Sequence, residues 1–138
     1  MLGEHFRSLL EAASPAVLMT YRRAGTAVAS PVWFRLHSGV LEVVIAEGDI
    51  KLRHLARRAE CCLTVFEAVP PFRGVETRGA PELVVGDVSE ARLAIASRYL
   101  GARDGARFAA QRKPHGTLVR LALDDARTWD LSAILPSG

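Results

Sequence analysis

The chain has 138 residues, of which 49% are hydrophobic and 24% charged, a composition typical of one globular domain. We predict that domain over residues 1–138, with a flexible tail at 135–138. The net charge is only +3 and the basic residues are scattered, which argues against a nucleic-acid partner because phosphate binding needs a clustered basic face. No apolar stretch approaches the roughly 18 residues that cross a membrane, and the amino end lacks the order of a signal peptide. We therefore expect a cytoplasmic protein that binds neither membrane nor nucleic acid.

The amino-terminal half is predicted to form a helix followed by strands. Apolar residues at helical spacing predict a helix over residues 4–13, which Ser14 and Pro15 end. Residues 16–21, 26–36 and 40–46 are rich in β-forming residues and are joined by short turns, which predicts an antiparallel meander. Pro31 has no N–H for a sheet ladder, so we expect an edge, a bulge or a bend there.

The second half mixes helices and strands without regular alternation. Residues 49–59 have helical spacing with Asp49 as N-cap, and a later helix begins at Ser89 and ends at Gly101. A further helical piece is predicted over 104–111. Strands are predicted over 61–66, 73–85, 116–123 and 126–130, the second of these interrupted near Gly79 and Pro81. Short antiparallel strands with a few helices between them indicate a small, mainly β barrel and disfavour a doubly wound parallel sheet.

Most side-chain chemistry is poorly supported by the residue spacing. The adjacent Cys61 and Cys62 point to opposite faces of a strand, so they are interpreted as ordinary strand residues. The four histidines are widely dispersed, so no metal site is predicted. Phosphate-loop, dinucleotide-binding and hydrolase-elbow motifs are missing, and no catalytic side chain is predicted.

One constellation of residues could bind an anion. A helix that begins near Asp49 offers free backbone N–H groups, and Lys51 and Arg53 add positive charge close to them. The alternative is a solvated basic helix face, which spacing alone favours. Trp33, on a preceding strand, is in the same way more often a core residue than a cofactor contact.

The order of several motifs resembles that of the pyridoxamine-phosphate-oxidase-like family of split-barrel flavoproteins, including the branch that uses the deazaflavin coenzyme F420. Each motif is weak alone, but their order and spacing along nearly the whole chain are fairly specific. The matching segments are Ser-Pro-Val-Trp-Phe at 30–34, Lys51 with the Leu-Ala-Arg-Arg run at 55–58, Cys-Leu-Thr-Val-Phe at 62–66, Gly-Val-Glu-Thr-Arg-Gly at 74–79, Arg-Tyr-Leu-Gly at 98–101 and Thr-Trp-Asp-Leu-Ser at 128–132.

This resemblance implies a six-stranded antiparallel split β-barrel that forms a homodimer with two cofactor sites at the subunit interface. The cofactor ring would lie along the strand that carries Ser30, Pro31, Val32 and Trp33, with Trp33 as its wall. Lys51 would bind the cofactor phosphate, and the backbone of Asp49, Ile50 and Leu52 would add contacts. Trp129 would reach the partner's site.

The sequence also departs from the family pattern. His54 stands where relatives often carry Asn, which puts a cofactor contact from residue 54 in doubt. We interpret His54 as a helix residue with a satisfied hydrogen bond rather than a catalytic acid. Glu60 and Cys61 stand where relatives carry Pro, and this second change is interpreted as structural.

The resemblance implies an oxidoreductase that transfers a hydride between its cofactor and a small organic substrate. The cofactor is either FMN or coenzyme F420, and the Arg-Tyr-Leu-Gly helix end and the Arg-Thr-Trp-Asp ending at 127–130 favour F420. The acidic tail of F420 would suit a basic approach formed by Arg22, Arg23, Arg57 and Arg58, although these arginines are equally explained as solvated surface. The alternatives are a non-catalytic module that binds or carries a flavin, haem or other ligand, and a structural dimer with an empty groove. We expect residues 69–72 and the partner subunit to line the substrate pocket.

Overall fold

The computed structural model describes residues 2–137; Met1 and Gly138, the last residue of the predicted tail, lie outside the described residues. The helices are α1 (Glu4–Glu11), α2 (Ile50–Arg57), α3 (Ser89–Leu100) and α4 (Ala102–Ala110). The strands are β1 (Ala16–Tyr21), β2 (Ala27–Val32), β3 (Arg35–His37), β4 (Val40–Ala46), β5 (Cys61–Phe66), β6 (Gly74–Gly79), β7 (Glu82–Asp87), β8 (His115–Leu121) and β9 (Arg127–Trp129). None of the helices formed by residues 2–137 has the length and apolarity that a bilayer span requires.

The strands form two antiparallel sheets. One has the order β2-β1-β5-β6-β9 and the other the order β3-β4-β8-β7. The mainly β class and the split-barrel type predicted from the sequence are confirmed. The strand count of six was wrong, because residues 2–137 form nine strands.

The count differs mainly because two long predicted strands each divide between the two sheets. The segment at 26–36 breaks after Val32, so that β2 pairs with β1 and β3 pairs with β4. The segment at 73–85 breaks at Ala80 and Pro81, so that β6 pairs with β5 and β7 pairs with β8. Pro31 lies in β2, which is an edge strand, as the missing N–H predicts.

The other element predictions agree closely with the structure. Helix α2 begins directly after Asp49, whose carboxylate accepts a hydrogen bond from the Lys51 N–H at 2.9 Å. Helix α3 begins at Ser89, and Gly101 ends it with a positive φ of 86°. Helix α1 ends two residues earlier than predicted, at Glu11. That residues 1–138 form one domain stays a prediction.

The hydrophobic core fills the space between the two sheets. Leu18, Leu63 and Val65 enter it from the first sheet, and Leu41 and Ile45 enter it from the second. Helix α1 covers it with Leu9 and Leu10, and α2 adds Leu55. All of these residues are at most 2% exposed, so they contribute to the apolar burial that stabilises the barrel.

Gly74 lies where β6 meets β9, and it leaves room for an aromatic side chain. Gly74 pairs with Trp129 in the antiparallel register. A Cβ placed on Gly74 would overlap the indole ring of Trp129. The guanidinium of Arg127 lies 4.7 Å from the centre of the same ring. A small residue at position 74 is therefore what allows the last strand to pack against the first sheet.

We expect Gly74→Ala to displace the Trp129 ring and to lower the free energy of unfolding by about 1–3 kcal/mol, because overpacking a buried site forces side chains off their positions. Urea denaturation followed by tryptophan fluorescence measures this loss. In a Trp129→Ala background the same substitution should cost less than half as much. An equal cost in both backgrounds would show that the indole is not the obstacle.

Candidate functional site

The chain crosses from the first sheet to the second at Trp33 and Phe34, and α3 holds this crossing in place. The Phe34 N–H donates a hydrogen bond to the Tyr99 hydroxyl at 3.4 Å, and the Phe34 carbonyl accepts one from the Arg98 guanidinium. The Tyr99 hydroxyl in turn donates to the Ser14 carbonyl at 2.8 Å. Burial raises the pKa of the Tyr99 phenol, although the Phe34 N–H and Arg98 oppose this shift. Tyr99 therefore remains a hydrogen-bond donor at neutral pH.

Three aromatic rings gather at the crossing. Trp33 stacks on Tyr99 with ring centres 5.3 Å apart and planes 12° from parallel. Phe108 of α4 also packs against Trp33, with ring centres 5.0 Å apart and planes tilted by 50°. Such contacts add about 0.5–1.5 kcal/mol each beyond their buried area. The Trp33 ring is therefore held in a fixed orientation beside the open edge of β2.

A cavity of about 260 Å³ lies on one side of this edge, and we name it the cationic cavity. Its walls come from the end of β2, the end of β4, the start of α2, the start of α3 and the region of α4. The lining residues are Pro31, Val32, Trp33, Val44, Ile45, Ala46, Asp49, Lys51, Arg92, Ile95, Phe108 and Arg112. Three of these side chains are cations and one is an anion.

A second cavity of about 630 Å³ lies next to it, and we name it the aromatic cleft. It shares Pro31, Val32, Trp33 and Phe108 with the cationic cavity. Its other lining residues are Ala13, Pro15, Ala16, Val17, Phe66 and Tyr99. The two cavities together form an apolar surface that continues directly into a positively charged one.

Asp49 and Lys51 form a compact ion pair at the start of α2. One carboxylate oxygen of Asp49 accepts from the Lys51 N–H at 2.9 Å, and the other lies 3.0 Å from Lys51 Nζ. Burial acts to raise the pKa of Asp49, but the hydrogen bonds and charge of Lys51 outweigh it and hold the pKa below its usual range. The carboxylate therefore stays charged and offsets the charge of Lys51.

The structure brings together five of the nine predicted site residues: Pro31, Val32, Trp33, Asp49 and Lys51 line the cationic cavity. Ser30, Ile50 and Leu52 line neither cavity; the Ile50 side chain is 51% exposed, and Leu52 packs against the core. Arg53, expected to add charge to the same place, is exposed and lines neither cavity.

Trp129 lies in β9, at the opposite edge of the first sheet from β2. Three strands separate it from Trp33 within one subunit. Its predicted contact with the partner's site stays a prediction.

Several lining residues were not predicted from the sequence. Arg92 and Phe108 come from α3 and α4, and Arg112 follows α4. No spacing rule links them to Lys51, because they lie more than 40 positions away along the chain. Residues 69–72, predicted to line the substrate pocket, line neither cavity.

His54 is buried away from both cavities. Its ring Nδ1 lies 2.9 Å from the Thr20 hydroxyl, and both side chains are at most 5% exposed. This agrees with the interpretation of His54 as a hydrogen-bonded helix residue. Burial, with smaller contributions from Cys62 and Glu60, raises the pKa of the Cys61 thiol to about 12, so that thiol is not a nucleophile at neutral pH. Residues 2–137 contain no group of three or more His, Cys, Asp or Glu side chains arranged to hold a metal ion.

Comparison with known families and structures gives a consistent result. The profile of the pyridoxamine 5'-phosphate oxidase family matches residues 2–130. No curated protein matches the sequence.

Three similar solved structures share the fold at low identity. A conserved hypothetical protein of Mycobacterium tuberculosis is 19% identical, with a TM-score of 0.77 over 100% of this chain and 91% of that one. An F420 reductase is 23% identical, with a TM-score of 0.73 over 91% and 98% of the two chains. The heme storage protein HutZ of Vibrio cholerae is 12% identical, with a TM-score of 0.68 over 91% and 93%.

We expect Thr20→Val to lower the free energy of unfolding by about 1–3 kcal/mol, because it leaves the buried His54 ring without its partner. Urea denaturation measures this loss. The control is Thr26→Val, which removes a hydroxyl at an exposed position and should change stability by less than about 0.5 kcal/mol. Equal stabilities of the two variants would contradict a structural role for His54.

Proposed function

The chain belongs to the pyridoxamine 5'-phosphate oxidase family, and on that premise we propose that it is an oxidoreductase that binds coenzyme F420 or FMN between two subunits. It transfers a hydride to or from a small organic substrate. The observation that carries this proposal is the direct continuity between the aromatic cleft and the cationic cavity along Pro31, Val32 and Trp33. A ligand that has a flat ring at one end and a phosphate at the other matches both surfaces.

The residues present fit such a ligand. The aromatic cleft, of about 630 Å³, falls within the roughly 300–1,000 Å³ common for small-molecule sites, and the cationic cavity of about 260 Å³ extends it. The aromatic cleft supplies the stacked Trp33 ring and the exposed backbone of edge strand β2. Lys51 and the start of α2 supply a cation and a positive helix dipole for a phosphate. A flavin or deazaflavin supplies the hydride chemistry when bound, while the protein orients it and excludes water.

An exposed apolar edge strand supports the homodimer. Strand β7 is the last strand of the second sheet, and its side chains Leu83, Val84 and Val85 are 38%, 45% and 67% exposed. An edge strand with this many exposed apolar side chains would promote aggregation unless another surface covered it. A second copy of the chain would provide that cover in the cytoplasm.

A second candidate function is a non-catalytic module that binds or carries a flavin, haem or another ligand, and the similarity to a heme storage protein supports it. Haem iron is usually held by His, Cys, Met or Tyr. Among residues 2–137, no His, Cys or Met lines either cavity. The Tyr99 hydroxyl already forms hydrogen bonds with the Ser14 carbonyl and the Phe34 N–H. This chemistry favours the flavin over haem.

The proposal is tested by titrating FMN and coenzyme F420 separately into the purified protein and following cofactor fluorescence. We expect one of them to bind with a Kd in the micromolar range or tighter. Lys51→Ala should weaken that binding by at least tenfold, about 1.4 kcal/mol, because it removes the cation and leaves Asp49 unpaired beside the phosphate.

The matched control is Arg53→Ala, which removes the same charge from the same helix outside both cavities and should change Kd by less than twofold. Failure of both cofactors to bind the wild-type protein would reject the proposal. Equal losses in the two variants would reject the role of Lys51. Tight binding without turnover of any donor and acceptor pair would favour the carrier function.

A separate prediction concerns Asp49, whose carboxylate competes with a ligand phosphate for Lys51. Asp49→Asn keeps an N-cap side chain for the Lys51 N–H but cannot offset the ammonium charge. We expect cofactor affinity to rise by about two- to fivefold, the equivalent of an exposed ion pair of up to about 1 kcal/mol. Asp104→Asn on α4 is the control for the change in net charge. Weaker binding in Asp49→Asn than in that control would show that the carboxylate itself supports the ligand.

A further inference from the structure

Arg92 is a buried cation that lines the cationic cavity without a carboxylate partner. Only 7% of this residue is exposed. Its Nη1 donates to the Lys113 carbonyl at 2.7 Å. No carboxylate within residues 2–137 forms an ion pair with it, and the nearby Asp87 acts on it only through space. Burial of an unpaired charge is costly unless a ligand supplies the opposite charge.

Arg112 brings a second positive charge to the same cavity wall. Its guanidinium lies 3.4 Å from the centre of the Phe108 ring, and its Nη1 donates to the Phe108 carbonyl at 3.0 Å. Within the described part of the chain it also lacks an ion-pair partner. Burial lowers the pKa of the Arg92 guanidinium, and the charge of Arg112 lowers it further. The two arginines therefore repel each other in the absence of an anion.

The charges around the cationic cavity are not balanced by the protein. Asp49 offsets Lys51 within their ion pair, at an Nζ to carboxylate distance of 3.0 Å. Arg92, which is buried, and Arg112, which is exposed to water, remain, so the lining carries two positive charges without a carboxylate partner within residues 2–137. Lys51 lies on the wall formed by α2, whereas Arg92 lies on the wall formed by α3 and Arg112 on the wall that follows α4.

An outer concavity extends the same surface toward solvent. It measures about 460 Å³, and it shares Ala46, Arg92 and Arg112 with the cationic cavity. Lys113 adds a further cation to its lining. One carboxylate, that of Glu47, also lines it, but Glu47 forms no ion pair with these cations within residues 2–137. A ligand could therefore run from the cationic cavity outward past both arginines.

We propose that Arg92 and Arg112 form a second anion subsite, separate from Lys51, and that the ligand of this protein carries two anionic groups. The inference rests on the proposed function for the kind of ligand that enters the two cavities. It favours a deazaflavin coenzyme with an acidic tail over FMN, because FMN ends at its single phosphate. The guanidinium groups would hold the second anion through charge-assisted hydrogen bonds.

A second basic surface is a competing place for an acidic tail. Arg22, Arg23, Arg57 and Arg58 line one concavity, as expected for a basic approach. This surface lies at the carboxyl end of α2, whereas Lys51 lies at its amino end, and the helix rises by about 9 Å between Lys51 and Arg57. Arg58 is already paired with Glu60 at 3.0 Å. These arginines are exposed to water, so their charges need no ligand, in contrast to Arg92.

The test compares ligands that differ in their number of anionic groups. FMN and coenzyme F420 are titrated by fluorescence into the wild type, Arg112→Gln and Lys51→Ala. We expect Arg112→Gln to weaken coenzyme F420 by at least tenfold and FMN by less than twofold, while Lys51→Ala weakens both. Arg103→Gln, an exposed arginine of α4 outside the cavities, controls for the change in net charge and should leave both affinities within twofold of wild type.

A second arm uses inorganic pyrophosphate and isothermal titration calorimetry, so that the subsite is tested without a flavin. Pyrophosphate should bind the wild type and Arg103→Gln equally and should bind Arg112→Gln at least tenfold more weakly. If neither flavin binds but this pattern holds, the proposed function fails and the second subsite stands.

Three results would overturn the inference. The first is a wild-type protein that does not bind pyrophosphate. The second is an Arg112→Gln variant that weakens FMN and coenzyme F420 equally, since the arginine would then share a single phosphate with Lys51. The third is an Arg112→Gln variant that destabilises the dimer without changing any ligand affinity, since its charge would then serve the subunit interface.

Discussion

The candidate site depends on one backbone constraint, which is the passage of the chain from one sheet to the other at Phe34. At this residue the N–H and carbonyl have left one ladder and have not entered the next, so they need other partners. Tyr99 and Arg98 provide them from the end of α3. The same contacts bring α3 and α4 against the end of β2, and they fix Trp33 between the Tyr99 and Phe108 rings. The hydrogen bonds that satisfy the Phe34 backbone therefore also position the walls of the cationic cavity and the aromatic cleft.

The charge distribution around the crossing separates structural ion pairs from those available to a ligand. Glu42 is buried and lies 2.7 Å from Arg35 and 2.8 Å from Arg120, and these arginines also pair with Glu90 and Glu82, so every charge of this cluster has a partner within the protein. The buried Arg92 lacks such a partner within residues 2–137, and so does the exposed Arg112 beside it. A buried ion pair such as that of Glu42 is satisfied within the protein and helps to specify packing. A buried cation without a carboxylate partner is instead stabilised when an anion binds beside it. The electrostatic preference for an anionic ligand is thus located on α3 and beside α4.

The sequence predicts the local part of this architecture well. Strands β1, β4 and β5 and the Asp49 cap of α2 depend on neighbouring residues, and they agree with the structure. The two sheet crossings could not be placed, because a strand that changes sheets keeps its β-forming residues while its partners change. For the same reason Lys51 was predicted and Arg92 was not. The position of Lys51 follows from one helix start, whereas that of Arg92 requires the packing of α3 against a distant strand.

The lining of the aromatic cleft limits what chemistry the chain itself can perform. Two of its side chains carry a polar group. The Trp33 indole N–H can only donate, and the Tyr99 hydroxyl already donates to Ser14 and accepts from Phe34. Burial raises the pKa of Tyr99, so this phenol is poorly suited to act as a base near neutral pH. A hydrolytic reaction needs a nucleophile or a general base at hydrogen-bond distance from the substrate, and no residue that lines the cleft provides one. Hydride transfer requires mainly a held ring, a covered substrate and excluded water, which are the properties that an apolar, aromatic wall supplies.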